Sequence, residues 1–123
     1  MRAASTPRPD YVDIGPHRIA VVWDAARAMR MMRDASDHRW GEFDTYANEI
    51  RIDPGLAPMR QRETLLHELF HPLIKDAGGL RLPEKMPEDD GDREHLFINV
   101  IECGLLDILR SNPHVLAWLC AED

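Results

Sequence analysis

Glu63-Thr64-Leu65-Leu66-His67-Glu68-Leu69-Phe70-His71 decides how the rest of the chain is read. Pro58 stands ahead of it, where a proline's missing N–H costs nothing in a first helical turn, and the sequence between predicts a helix from Pro58 through ETLLHELFHPLIK. On a helical wheel Leu65, Leu66, Leu69, Phe70 and Leu73 form an apolar stripe, while His67 and His71 fall off it, on a side shared with Arg60 and Thr64. The stripe gives the helix one face on a core. The two histidines are not needed to fill that core.

His67 and His71 lie one turn apart on the same helix face, so both imidazoles can bind a single zinc ion from one rigid element. Glu68 sits about 100° further round, outside the ligand face but close enough to accept a proton from a metal-polarised water and pass it to a leaving amine. The HExxH pattern therefore predicts a zinc-dependent hydrolase with one zinc per chain, His67 and His71 as ligands and Glu68 as general base. A catalytic zinc usually takes three protein ligands. A second long helix, expected from about Arg93 to Arg110, offers Glu94 on a face shared with Phe97, Ile98, Ile101, Leu105 and Ile108, where a buried carboxylate would need a partner such as a metal. Its neighbour His95, on the border of the polar face, is the alternative third ligand. The bland reading makes Glu94 an exposed first-turn acid that favours the helix dipole. Pro72, directly after His71, removes a helical N–H and disfavours helical geometry at His71, so the helix is expected to kink or end there.

Upstream, YVDIGPHRIAVVW from Tyr11 to Trp23 reads as two short strands broken at Gly15-Pro16. A helix is expected over about Ala25 to Asp34, capped by Asp24. Short strands around Phe43 and Tyr46 and around Ile50 and Ile52 complete a small, mainly antiparallel sheet. Residues 76–92, rich in Gly, Pro and acids, read as a loop, and Asn112-Pro113 as the cap and first turn of a short C-terminal helix. The expected fold is α+β: a flexible leader over 1–10, then a single domain over 11–123 in which the sheet packs on the HExxH helix and the second long helix.

At 123 residues and 44% hydrophobic content the chain can hold one core and not two. Twenty-two acidic against 15 basic residues give a net charge of −7, which argues against nucleic acid as a partner. No apolar run approaches the roughly 18 residues that cross a bilayer, and the first ten residues carry no signal-peptide core, so a soluble cytoplasmic protein without a membrane partner is expected. Cys103 and Cys120 have no metal-binding spacing and read as reduced core residues. His17, His38 and His114 read as non-functional, Met29, Met31 and Met32 as packing residues, and Trp23, Trp40 and Trp118 as core anchors. Tyr46 has two readings: sheet packing, or a phenol near the metal that stabilises an oxyanion.

With a β-rich start, Gly41-Glu42 in a strand, ETLLHELFH, and a later helix ending near Asn112-Pro113 and Trp118-Leu119, the chain resembles the minimal zincin-type metallopeptidases encoded by phages and mobile elements, and more distantly the ImmA/IrrE-like proteins. The resemblance implies zinc held by His67, His71 and Glu94, with Glu68 as base in peptide-bond hydrolysis. A peptide or protein substrate would add as a strand along a sheet edge, such as Gly41 to Asp44. The competing expectation is a non-catalytic protein-binding module in which zinc only staples two helices of a zincin scaffold. A domain this small leaves room for a homodimer or a partner protein to complete the site.

Overall fold

Alternation of apolar and polar residues builds the sheet of this computed structural model, which describes residues 6–24, 40–73 and 85–122. β1 (Tyr11–Ile14) and β2 (His17–Trp23) pair antiparallel, with Val12 opposite Ile19 and Ile14 opposite His17. Gly15 turns between them at φ 55°, a left-handed conformation that favours glycine. β3 (Gly41–Asp44) and β4 (Glu49–Ile52) form a second antiparallel hairpin, with Phe43 opposite Ile50 and Gly41 opposite Ile52.

The sheet order is β1-β2-β4-β3, and β2 and β4 run parallel, Val21 lying beside Ile50. The sheet is thus mixed, and the mainly antiparallel expectation holds for two of its three pairings. Each strand's period-2 pattern fixes which face it buries. It does not fix which neighbour lies alongside. As a result β3 is an edge strand.

Val12, Ile14, Ile19, Val21, Ile50 and Ile52 point to one face and are buried beneath the helices. α1 (Pro58–Pro72) supplies Leu65, Leu69 and, just beyond its end, Leu73 to the same core. Full burial of a Leu or Ile side chain contributes about 1.5–3 kcal/mol, so these nine residues dominate the fold's cohesion. Pro58 opens α1 as expected, and the regular helix ends at Pro72, whose ring leaves no N–H for the carbonyl of Glu68.

The second long helix is α2 (Asp90–Val100), a π-helical turn (Ile101–Leu105) and α3 (Leu106–Ser111). Asp89 caps it by accepting the Asp92 N–H at 3.0 Å. It meets the motif helix at Gly104, where a Cβ would run into the Leu73 side chain, so a larger residue there would force that side chain to shift. Ile108, one turn further, is buried. The N-terminal half differs from expectation: Phe97, Ile98 and Ile101 are about half exposed, and Glu94 is exposed rather than buried among them. The helix is anchored through its C-terminal half, and among the described residues no core packs against the apolar stripe around Glu94.

α4 (Pro113–Leu119) closes the core with Val115 and Trp118, and Trp118 meets Trp23 edge to face with centroids 5.4 Å apart. Asn112 does not cap this helix through its side chain. It is fully buried and clamps β1 instead: Oδ1 accepts the Asp13 N–H, and Nδ2 donates to the carbonyls of Asp13 and Ile108, all at 2.7 Å. Cys120 is an exposed free thiol, not a core residue, because α4 ends one residue before it. Among the described residues no helix is long and apolar enough to cross a membrane. The expected helix over 25–34 with its methionines, His38, the Cys103 side chain and the loop residues 76–84 fall outside the described residues.

Candidate metal centre

The motif helix passes directly under the edge of the sheet, packed on β3 and β4. Gly41 makes the approach possible. A Cβ there would lie 2.6 Å from Thr64 Cγ2, 3.1 Å from the Arg51 carbonyl oxygen and 3.4 Å from Glu68 Cγ, so strand and helix touch backbone to side chain. Thr64 is fixed in turn, its hydroxyl donating to the Arg60 carbonyl at 2.7 Å.

This packing divides the motif in two. Glu68 lies under Gly41 with its side chain only 6% exposed, whereas the side chains of His67 and His71 are 70% and 48% exposed. The imidazole centroids are 5.3 Å apart. His67 Nε2 stands 4.0 Å from Glu68 Oε1, and His71 Nε2 stands 3.9 Å from Glu68 Oε2. One ligand atom from each residue can be chosen so that all three lie within 4.8 Å of one another.

These donors fit zinc chemically. Two imidazoles and a nearby carboxylate are typical zinc-site residues, and ligands about 2.0–2.1 Å from a tetrahedral ion stand about 3.3 Å apart, a spacing small rotations of exposed imidazoles can reach. Glu94 and His95 are exposed on α2 and do not belong to this cluster. The structure brings His67, Glu68 and His71 together and leaves both candidates for a third ligand apart from them.

The cluster opens into a cleft of about 680 Å³. One wall is Trp40 and the β3 residues Gly41, Glu42 and Phe43, and the other is the α1 face carrying Arg60, Glu63, Thr64, His67, Glu68 and His71. At the end nearer the start of α1, the Arg60 guanidinium stacks over Trp40 at 4.4 Å and pairs with Glu63 at 2.9 Å. Trp40 is therefore a partly exposed wall of the cleft and not the core anchor its apolar bulk suggested. A glycine following a tryptophan at a strand start was the available signal for a close approach, but nothing local showed that the helix would be what approaches.

On the opposite face of the β3–β4 hairpin, Arg51 pairs with Glu49 at 2.7 Å, Asp44 at 2.6 Å and Glu42 at 3.5 Å. Asp44 also accepts the N–H groups of Tyr46 and Ala47 and so shapes the turn. The Ala47 N–H above all, and then Arg51, hold the Asp44 carboxyl below its ordinary pKa. Hydrogen bonding to Glu49 raises the Arg51 pKa.

Tyr46 is fully exposed on this turn and lines no part of the cleft, so neither of its expected roles, sheet packing or oxyanion contact, is realised. His114 packs against the Tyr11 ring and lies 2.8 Å from its carbonyl oxygen, a structural role as expected, and His17 is exposed on the hairpin.

Comparison with protein-family models, curated proteins and solved structures finds no match. The chemistry of the site is carried by its own geometry. That geometry offers two solvent-facing imidazoles, a buried carboxylate between them and a cleft bounded by a sheet edge.

Proposed function

We propose that this chain is a zinc-dependent metallopeptidase of the zincin type, similar to the minimal enzymes of phages and mobile elements. One observation carries the reading: the two oxygens of buried Glu68 each face the Nε2 of a different exposed histidine, at the floor of a cleft alongside an edge strand. Zinc bound there would acidify water and polarise a scissile carbonyl. His67 and His71 hold the ion from one helix. Glu68, held in place by Gly41 and Thr64, accepts a proton at one carboxylate oxygen and delivers it to the leaving amine. β3 lies at the sheet edge among the described strands, so an extended peptide can pair with it as a further strand, which lays its backbone across the cleft. Glu94 is the third protein ligand that the resemblance implies, with His95 as the alternative; both stand apart from the cluster, so either would bind the ion only if α2 approached the motif helix. The protein acts in the cytoplasm on a peptide or protein substrate.

The test separates metal from chemistry. Elemental analysis of protein purified without chelators should find about one zinc per chain, and His67→Ala should lose it. Glu68→Gln should retain zinc and lose hydrolysis of peptide substrates. Absence of zinc after equilibration rejects the proposal. Unchanged biological activity in zinc-loaded Glu68→Gln favours the zinc-stapled binding module.

A further inference from the structure

Among the described residues that wall the cleft, Arg60 is the one with a permanent positive charge. Its guanidinium lies over the Trp40 ring at 4.4 Å, and Nη1 binds Glu63 at 2.9 Å. A guanidinium held over an aromatic ring is attracted to the ring's face through its charge and still has N–H groups available for hydrogen bonds. Glu63 takes one edge of that fork. The cleft's other carboxylates face elsewhere, Glu42 toward Arg51 and Glu68 toward the two histidines. A second edge of the Arg60 fork is thereby left for a carboxylate entering the cleft.

The position of this pair fixes which part of a substrate it meets. Arg60 precedes His67 by two helical turns, about 10 Å along the axis, which corresponds to about three residues of an extended peptide. β3 runs from its Trp40 end toward Asp44, so a peptide added antiparallel to it runs the other way and brings its C-terminal part to Trp40.

Resting on the peptide-cleft reading above, we infer that Trp40 and Arg60 form a carboxylate-binding subsite. It selects peptides with an acidic side chain or a free C-terminus about two or three residues beyond the scissile bond on the leaving-amine side. Trp40 holds the guanidinium over its ring, and Arg60 makes the contact. Because the pair is partly exposed, the preference is modest and weakens with salt.

The experiment uses the zinc-loaded full-length protein and labelled, N-acetylated peptides that differ only in Glu, Gln or Lys at each position, each made as C-terminal acid and amide. Wild type should cleave the acidic members about three- to tenfold faster in kcat/KM. Preference that survives amidation identifies an acidic side chain, and preference that disappears on amidation identifies the terminal carboxylate. Arg60→Gln should level the series, Arg60→Glu should turn it toward Lys, and Arg60→Lys should restore only part, since an ammonium keeps charge without the stacked fork. Binding of the same peptides to zinc-loaded Glu68→Gln reads the preference without turnover. Equal binding of Glu and Gln peptides and of acid and amide forms, or a preference unchanged in Arg60→Gln, overturns the subsite. Selective binding that Arg60→Gln removes, with no cleavage by wild type, overturns the hydrolase reading and leaves the carboxylate subsite standing.

Discussion

Replacing Gly41 by alanine tests whether Glu68, the proposed base, is held by the strand above it. The added methyl would stand 2.6 Å from Thr64 Cγ2, against about 3.5–4.0 Å for an ordinary carbon contact, so about 1 Å of separation must be found. Thr64 resists rotating away because its hydroxyl is bonded to the Arg60 carbonyl. The Arg51 carbonyl and Glu68 Cγ close the other directions. Overpacking of this kind costs about 1–3 kcal/mol, offset by the few tenths to 1 kcal/mol that alanine saves by restricting the unfolded chain. A net loss of about 1–2 kcal/mol lowers Tm by about 3–10 °C in a domain of this size. Both histidines belong to the helix, so zinc stoichiometry should be unchanged. A shift of about 1 Å between Glu68 and a substrate on β3 should reduce kcat by about ten- to a hundredfold. Thr64→Ser supplies the control, since it removes the clashing Cγ2 and keeps the hydroxyl. Urea unfolding and zinc-loaded turnover of Gly41→Ala, Thr64→Ser and the double variant form a cycle in which the double variant regains at least half the lost stability. Full stability in Gly41→Ala, or no recovery with Thr64→Ser, refutes the contact as the cause.

Two further outcomes follow from contacts away from the cleft. Asn112→Ala strands the Asp13 N–H and the carbonyls of Asp13 and Ile108, and should cost about 2–4 kcal/mol in urea unfolding without changing zinc stoichiometry; a loss below 1 kcal/mol would show that the clamp contributes little. Asp44 has a folded pKa below its ordinary 3.8, so the unfolded chain binds its proton first as pH falls. The linked stability is complete above the unfolded value and is lost as pH drops through the lower folded value. Stability measured across that acid range should fall less steeply in Arg51→Gln, where one cause of the depression is gone, and a slope equal to wild type would remove Arg51 from the account.

The strands were legible because Val12 and Ile14, Ile19 and Val21, and Ile50 and Ile52 alternate with polar neighbours, and a period of two has one structural meaning. The motif helix was legible from Pro58 and the leucine stripe, and the motif residues from their spacing. Contacts between elements were less so. Nothing local in β4 states that it lies parallel to β2, since strand pattern encodes a face and not a neighbour. Asn112 before Pro113 fits a helix cap and a clamp equally well, and only the arrival of β1, far away in sequence, decides between them. The stripe of Phe97, Ile98 and Ile101 declared an apolar face correctly, yet periodicity cannot say whether a core lies beneath it. Trp40 escaped for the same reason: its size suggested burial, but its partner is a charged guanidinium at the mouth of a cleft.

The division of labour within the motif has a geometric cause. A step of about 100° between consecutive helical residues turns Glu68 under the sheet while leaving His67 and His71 toward solvent. Only a position lacking a side chain could sit above Glu68 and Thr64 without pushing the helix off the sheet, and Gly41 is that position. The strand that packs on Glu68 is also the edge strand among the described strands. A peptide pairing with β3 would therefore be registered against the same backbone that immobilises Glu68. The ligand face remains open to whatever completes the coordination. If the chain is the metallopeptidase proposed above, the accuracy of proton transfer would depend on strand-helix packing and metal capture on exposed rings that can still turn, so a substitution at Gly41 should impair turnover while one at His67 should remove the metal.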